Sequence, residues 1–248
     1  MKTLHEVKSM LAVYGAGAGE ALEEVLWPTR CAVCDTPGAV LCERCKNNLK
    51  FIDLWLACPV CGAAYGVAQC CECNAVMLKA LSRNEVAFDG MASAVMFDSA
   101  ASRIVRTWKD AGERKLASAM AEMMAGVVRP EWVSLHPVVV PVPATEAAIR
   151  RRGFDHCFEL AQNVAALLCL RTRQLLAKPQ TLDQRKLNRK QRALNLAGSF
   201  NVASNAERYA CVLLVDDVCT TGATLNAACD ALKKAGVSKV FCLTFARV

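Results

Sequence analysis

Four Cys-x2-Cys pairs follow one another in this chain: Cys31/Cys34, Cys42/Cys45, Cys58/Cys61 and Cys70/Cys73. Each pair places two thiolates on one tight turn, and two such pairs complete a tetrahedral site of the kind zinc accepts. The stretch holds few large apolar side chains, so metal rather than a hydrophobic core has to supply its folding energy. One or two structural Zn2+ ions are therefore expected, held by Cys31, Cys34, Cys42 and Cys45 and by Cys58, Cys61, Cys70 and Cys73. In the second set Cys71 is spare, and Cys71 and Cys73 can trade places as the closing ligand. Four thiolates leave no open coordination position, so both sites read as structural. A disulfide framework is the competing reading and belongs to secreted domains, but successive Cys-x2-Cys pairs are the pattern of zinc ribbons. The six cysteines at 157, 169, 211, 219, 229 and 242 sit in apolar or helical contexts and read mostly as small core residues, Cys219 excepted.

The remaining chain is organised differently. Residues 1–28 read as a helix ending at Pro28, 29–76 as the double ribbon, and 77–248 as one α/β domain. The N-terminal stretch has an apolar run, but His5 and Glu6 interrupt its start and Glu20, Glu23 and Glu24 follow without a cleavage site, so a signal peptide is disfavoured. No uncharged apolar run reaches the roughly 18 residues of a membrane span, and no membrane insertion is expected. Beyond residue 77, apolar segments such as "ASAVMFDS", "HPVVVPVP", "ACVLLVDD" and "KVFCLTFARV" alternate with helical ones, and a short strand is expected near "AGSFNV". That alternation predicts a mostly parallel sheet with helices on both faces.

One segment carries chemistry. "VLLVDDVCTTGATLNAACDALKKAG" is a buried strand from 211 to 215, two acids, a loop of small and hydroxyl residues, and a helix from about Gly222 to Ala235. The N–H groups at that helix start favour an anion. Thr220, Thr221 and Thr224 add hydroxyls, and Gly222 and Ala223 let the backbone come close, which together describe a phosphate cradle. It is no Walker loop, since the chain has no G-x-x-x-x-G-K-[ST]. Asp216 and Asp217 would repel a phosphate, but carboxylates suit the vicinal hydroxyls of a ribose 5-phosphate and can help to hold Mg2+. Because strand side chains alternate, both acids can serve one ribose only if the strand is already turning at Asp217.

Charge is concentrated in one place. Residues 171–192 hold eight basic side chains against Asp183, which accounts for the whole formal charge of +7. Arg185, Lys186, Arg189, Lys190 and Arg192 form its densest part. The segment has no Phe, Tyr or Trp, so it could meet phosphates without stacking bases. Residues 1–80 are near neutral, which assigns the ribbons to folding or protein partners rather than to DNA.

The acid pair followed by T-T-G-x-T resembles the fingerprint of type I phosphoribosyltransferases. With the cysteine pairs, "RIVRTWKDAGERKLA", "VVVPVPATEAAIRRRGFDHCFELA" and "TLDQRKLNRKQRALNLAGSF" in that order, the chain resembles the ComF/GntX family of competence-associated phosphoribosyltransferase-like proteins. The resemblance implies a type I phosphoribosyltransferase-like sheet, with Asp216 and Asp217 on the ribose hydroxyls and Mg2+ and Thr220–Thr224 on the 5′-phosphate. Pro143, Ala144 and Thr145, in the loop from Pro141, fall where related enzymes place the pyrophosphate. Lys109, Arg150 and Arg152 match basic positions that would neutralise pyrophosphate or a nucleic-acid phosphate. The family usually reads R-G-F-N-Q where this chain has Arg152-Gly153-Phe154-Asp155-His156, and Ala147 and Ala148 stand where basic residues are common. A cytoplasmic protein is implied, acting in DNA uptake or utilisation, with phosphoribosyl pyrophosphate or a related ligand. Single-stranded DNA and a competence helicase are the further partners implied. The alternative is a non-catalytic DNA-binding accessory that uses the phosphoribosyl site as a sensor. No base pocket is visible in the sequence, so the acceptor, and whether any pentosyl transfer occurs, stay open.

Overall fold

The computed structural model describes residues 28–177 and 200–248. The expected helix over 1–28 therefore lies almost wholly outside the described residues, as do Arg185, Lys186, Arg189, Lys190 and Arg192. The chain divides into two compact units, one ending at Asn48 and one running from Leu49 to Val248. The division falls between the two cysteine quartets.

In the smaller unit, backbone bonds from Cys31 N–H to Thr36 O and from Asp35 N–H to Cys31 O fold the first Cys-x2-Cys pair into a knuckle. Helix α1, Glu43–Asn47, starts at Cys42 and carries Cys45 inward. The sulfurs of Cys31, Cys34, Cys42 and Cys45 all lie within 4.8 Å of one another. That geometry fits one tetrahedral metal and nothing larger.

The larger unit is built on a four-stranded, all-parallel sheet in the order β1-β6-β5-β2. Its strands are β1 Gly90–Met96, β2 Val138–Pro141, β5 Cys211–Cys219 and β6 Lys239–Arg247. They are nearly continuous apolar runs, as strands buried on both faces must be. A two-stranded antiparallel pair, β3 Leu176–Ala177 and β4 Asn201–Val202, stands apart from this sheet. The strand expected near "AGSFNV" is thus present, but it pairs outside the main sheet.

The helices follow from local signals. Asp98 caps α3, Ser99–Asp110, by accepting from Ala100 and Ala101 N–H. Gly112, at φ +77°, separates it from α4, Leu116–Ala125, which is buried through Leu116, Met120 and Met124. A short turn, α5 Pro130–Val133, seats Trp132 in a stack on Phe241 with centroids 4.6 Å apart. Then come α6 Glu146–Arg152, α7 His156–Leu167 and α8 Ala223–Lys234. Leu225, Ala228, Cys229 and Leu232 of α8 share a core with Val212, Leu214, Val140, Val240 and Cys242. Helix α7 packs on β2 and β5 but contributes nothing to that core, so by strand alternation it covers the opposite face.

The second quartet belongs to this unit. Cys58 N–H donates to Ala63 O and Gly62 N–H to Cys58 O, closing the knuckle. Gly62 has φ +69°, and a Cβ there would stand 2.5 Å from the Met91 carbonyl oxygen, so only glycine lets the knuckle lie against β1. Helix α2, Ala75–Ala80, follows Cys73, and Asn74 caps it by accepting from Val76 and Met77 N–H. The sulfurs of Cys58, Cys61, Cys70 and Cys73 lie within 4.8 Å of one another, and Cys71 is exposed. Each quartet could hold a zinc ion.

Candidate functional site

Adjacent parallel strands β2 and β5 send their chains to opposite faces of the sheet at their carboxyl ends, β2 into α6 and α7, β5 into α8. Such a reversal opens a crevice, which is where open α/β sheets bind ligands. The strands run in register up to Pro141 and Val215, and Val142 N–H still donates to Val215 O at 2.8 Å. The Pro143–Ala144–Thr145 loop and the Asp216–Asp217 pair are therefore neighbours, although 71 or more residues separate them in the chain.

Strand β5 does not end at the acids. It continues to Cys219, pairing Asp216 with Thr244 and Val218 with Ala246 of β6. The strand does not turn at Asp217, and the Asp216 carboxylate is instead held against its neighbour's backbone. Asp216 Oδ1 accepts from the Asp217 N–H at 2.9 Å and from Cys157 Sγ at 3.6 Å, which draws it back along its own strand. Asp217 is buried and forms an ion pair with Lys109 from the last turn of α3. Burial works against ionising Asp217, but the ammonium outweighs it and holds the carboxyl below its ordinary range. For Asp216, burial and the neighbouring Asp217 charge act together and push it up to about 7. The pair thus has one firmly anionic member, already neutralised by Lys109, and one poised between its two states.

The cradle opens directly beyond. Gly222, at φ +71°, is the residue before α8, and no side chain caps that helix. Thr221 Oγ1 accepts from Ala223 N–H at 3.3 Å. Asn226 braces the loop from below: its Nδ2 donates to Gly222 O at 2.9 Å while its Oδ1 accepts from Ala87 N–H at 2.7 Å. Thr220 is exposed, and Thr221, Gly222, Ala223 and Thr224 are half-buried.

A family model for a phosphoribosyl transferase domain matches residues 155–248, the span from α7 through the acids and cradle to β6. Competence protein F of Haemophilus influenzae is 28% identical over 210 residues, covering 81% of this chain and 87% of that one. Competence protein ComFC of Bacillus subtilis is 24% identical over 217 residues, covering 86% of this chain and 85% of that one. The chain is thus similar to the ComF competence proteins over most of its length, and to phosphoribosyl transferase domains from residue 155 on.

Around this crevice the basic residues sort themselves. A cavity of about 620 Å3 is lined by Lys109, Asp110, Ala111, Gly112, Arg151 and Arg152. Lys109 and Arg152 converge there. Arg150 does not line it and reaches back one turn to Glu146 at 3.2 Å. Arg151, which the sequence reading did not single out, lines it, and the signal available was only the run Arg150–Arg152. Arg152 meets Asp110 at 3.5 Å and the His156 ring at 3.1 Å, and its Nε is buried without a hydrogen-bond partner. Thr145 is exposed and caps α6 by accepting from Ala148 N–H at 3.2 Å, while Pro143 and Ala144 are half-buried.

The departures from the family pattern also find places. Asp155 caps α7 by accepting from Phe158 N–H at 3.1 Å, so its charge meets a helix N-terminus. His156 is buried edge-on against Trp108, and burial with Lys109 beside it pushes the imidazole down to about 4. It is neutral at ordinary pH. His156, Cys157 and Asp217 bring ligand atoms within 4.8 Å of one another, with the Lys109 ammonium already seated on Asp217. Among the described residues, no helix is long and apolar enough to cross a membrane.

Proposed function

We propose that this protein binds phosphoribosyl pyrophosphate, or a related ribose 5-phosphate ligand, together with Mg2+, and serves DNA uptake or DNA utilisation in the cytoplasm. The observation that carries the reading is the continuity of acid pair and cradle: Asp216 and Asp217 lead within a few residues into the uncapped start of α8. Carboxylates accept from the ribose hydroxyls while the N–H groups and Thr hydroxyls take the 5′-phosphate. Two carboxylates with ligand phosphates are the hard oxygen donors that Mg2+ prefers, so the residues present fit that ion. Lys109, Arg151 and Arg152 stand where a pyrophosphate would need positive charge. The competence role follows the relatives, Competence protein F and Competence protein ComFC.

Calorimetric titration with phosphoribosyl pyrophosphate and Mg2+ is expected to give saturable binding, lost in Asp216→Asn/Asp217→Asn. An unaltered protein that releases no heat sinks the reading. Pyrophosphate release across a panel of acceptor bases then separates a transferase from a sensor.

The second reading, a single-stranded-DNA-binding accessory of a competence helicase, draws on one further feature. Arg171 and Arg173, the first bases of the basic segment, line with Arg208 and Tyr209 a cavity of about 390 Å3 at the amino ends of β2 and β5. Tyr209 supplies the aromatic that the segment itself lacks. Affinity for single-stranded DNA is expected to fall steeply with salt, and to fall again in Arg171→Ala/Arg173→Ala/Arg208→Ala. Binding indifferent to both would count against it.

A further inference from the structure

Where the second quartet meets the sheet, a buried cation is surrounded largely by sulfur. Arg247, at the end of β6, is only 8% exposed. Its Nη1 donates to the Cys61 carbonyl at 2.7 Å, and its Nη2 to Glu72 Oε2 at 2.9 Å. Met91 Sδ lies 3.4 Å and Cys219 Sγ 3.7 Å from Nη1, and Cys61 Sγ lies 3.8 Å from Nη2. Nε has no partner. Burying a charge is costly unless it is paired and hydrogen-bonded. Glu72 is one counter-charge, and its side chain is 35% exposed. A stronger one exists when Cys58, Cys61, Cys70 and Cys73 hold a divalent cation, because four thiolates around a dication carry a net charge of about −2. Arg247 is then an outer partner of a metal thiolate, of the kind that orients ligands and tunes affinity.

The same guanidinium faces the phosphate cradle. Arg247 pairs in register with Cys219, the last residue of β5, and Val248 N–H donates to Cys219 O at 3.0 Å. Thr220 follows at once. From the other side, Glu72 is part of the metal loop itself, since its N–H donates to Cys70 Sγ at 3.3 Å. One side chain therefore touches a metal ligand, the loop between two ligands, and the residue from which the cradle springs.

We propose that Arg247 is a positioning residue that ties the second metal site to the loop opening the phosphate cradle. A filled quartet fixes the Cys61 carbonyl and Glu72, these fix Arg247, and Arg247 fixes the end of β5. An empty quartet leaves the cation with the half-exposed Glu72 as its counter-charge and releases the loop. The meaning of the loop rests on the proposed function, but the test does not need the ligand.

The experiment uses the full zinc-loaded chain in a Cys31→Ser/Cys34→Ser background, so that only the second quartet reports. Arg247→Gln removes the cation, and Glu72→Gln perturbs it from a half-exposed position that leaves the core intact. Both are expected to surrender zinc to a chelator about 10–100-fold more readily. In both, amides of Cys219–Leu225 are expected to exchange faster with solvent while β2 and α7 keep their protection. Unchanged zinc release, zinc loss with an unchanged loop, or loss of protection spread evenly through the sheet would each overturn the coupling. Calorimetry on the same samples keeps the two ideas apart: a chain that binds no phosphoribosyl pyrophosphate yet loosens its loop on Arg247→Gln retains the coupling and rejects the ligand.

Discussion

A Cys58→Ser/Cys61→Ser variant is expected to carry one zinc per chain against an expected two for the unaltered protein, and to lose the packed structure of its second ribbon. Structural zinc contributes about 10–16 kcal/mol of apparent binding energy at neutral pH. A whole domain is stable by only about 5–15 kcal/mol. The segment around Cys58–Cys73 has no way to replace that contribution: its buried residues are mainly Ala57, Cys58, Cys61 and Ala63, while Trp55, Val60, Tyr65 and Val67 are exposed. Metal analysis gives the count, and limited proteolysis between Leu49 and Ala80 reads the ribbon. A variant with two zinc ions and the same cleavage pattern would remove metal from the account of this fold.

Lys109→Met is expected to cost about 3–5 kcal/mol, because it strands a carboxylate in the interior. The side chains of Lys109 and Asp217 are 18% and 9% exposed, so solvent screens the pair little. In urea the midpoint should fall with an unchanged slope, the sign of altered stability without altered compactness. Adding Asp217→Asn should recover most of the loss, since replacing both charges is far milder than orphaning one. The double variant should nonetheless fail to bind phosphoribosyl pyrophosphate, which divides the pair's structural role from its proposed role toward the ligand. A single variant as stable as the original protein would show that the buried pair carries no such weight.

What the residues disclosed and what they hid divide along physical lines. The quartets were legible because metal geometry is written in short spacings, Cys31 to Cys34 or Cys70 to Cys73. The cradle was legible because strand, acids, loop and helix are contiguous. Strand β5 proved longer than expected because Asp is depleted in strands, whereas here Asp216 is held in the ladder by Thr244 of β6. The Lys109–Asp217 pair joins a helix to a strand more than a hundred residues away in the chain, and no local pattern announces it. Arg150, Arg151 and Arg152 are equivalent in composition, and only the packing of α6 decides which of them reach the cavity. Arg247 offered no signal at all, since a basic residue near the end of an apolar strand ordinarily faces water.

The seat of the Gly62 knuckle has a bearing on synthesis. It is made by Met91 of β1 and Arg247 of β6, strands that pair directly but stand at opposite ends of the domain's sequence. At ribosomal rates of about 5–20 residues per second, the second quartet leaves the ribosome about 10–35 seconds before β6 does. Through that interval the Arg247 half of the seat is missing, and a bound metal can hold the four thiols together. Cell-free synthesis with zinc present during translation is therefore expected to yield more protease-resistant protein than synthesis with zinc added afterwards.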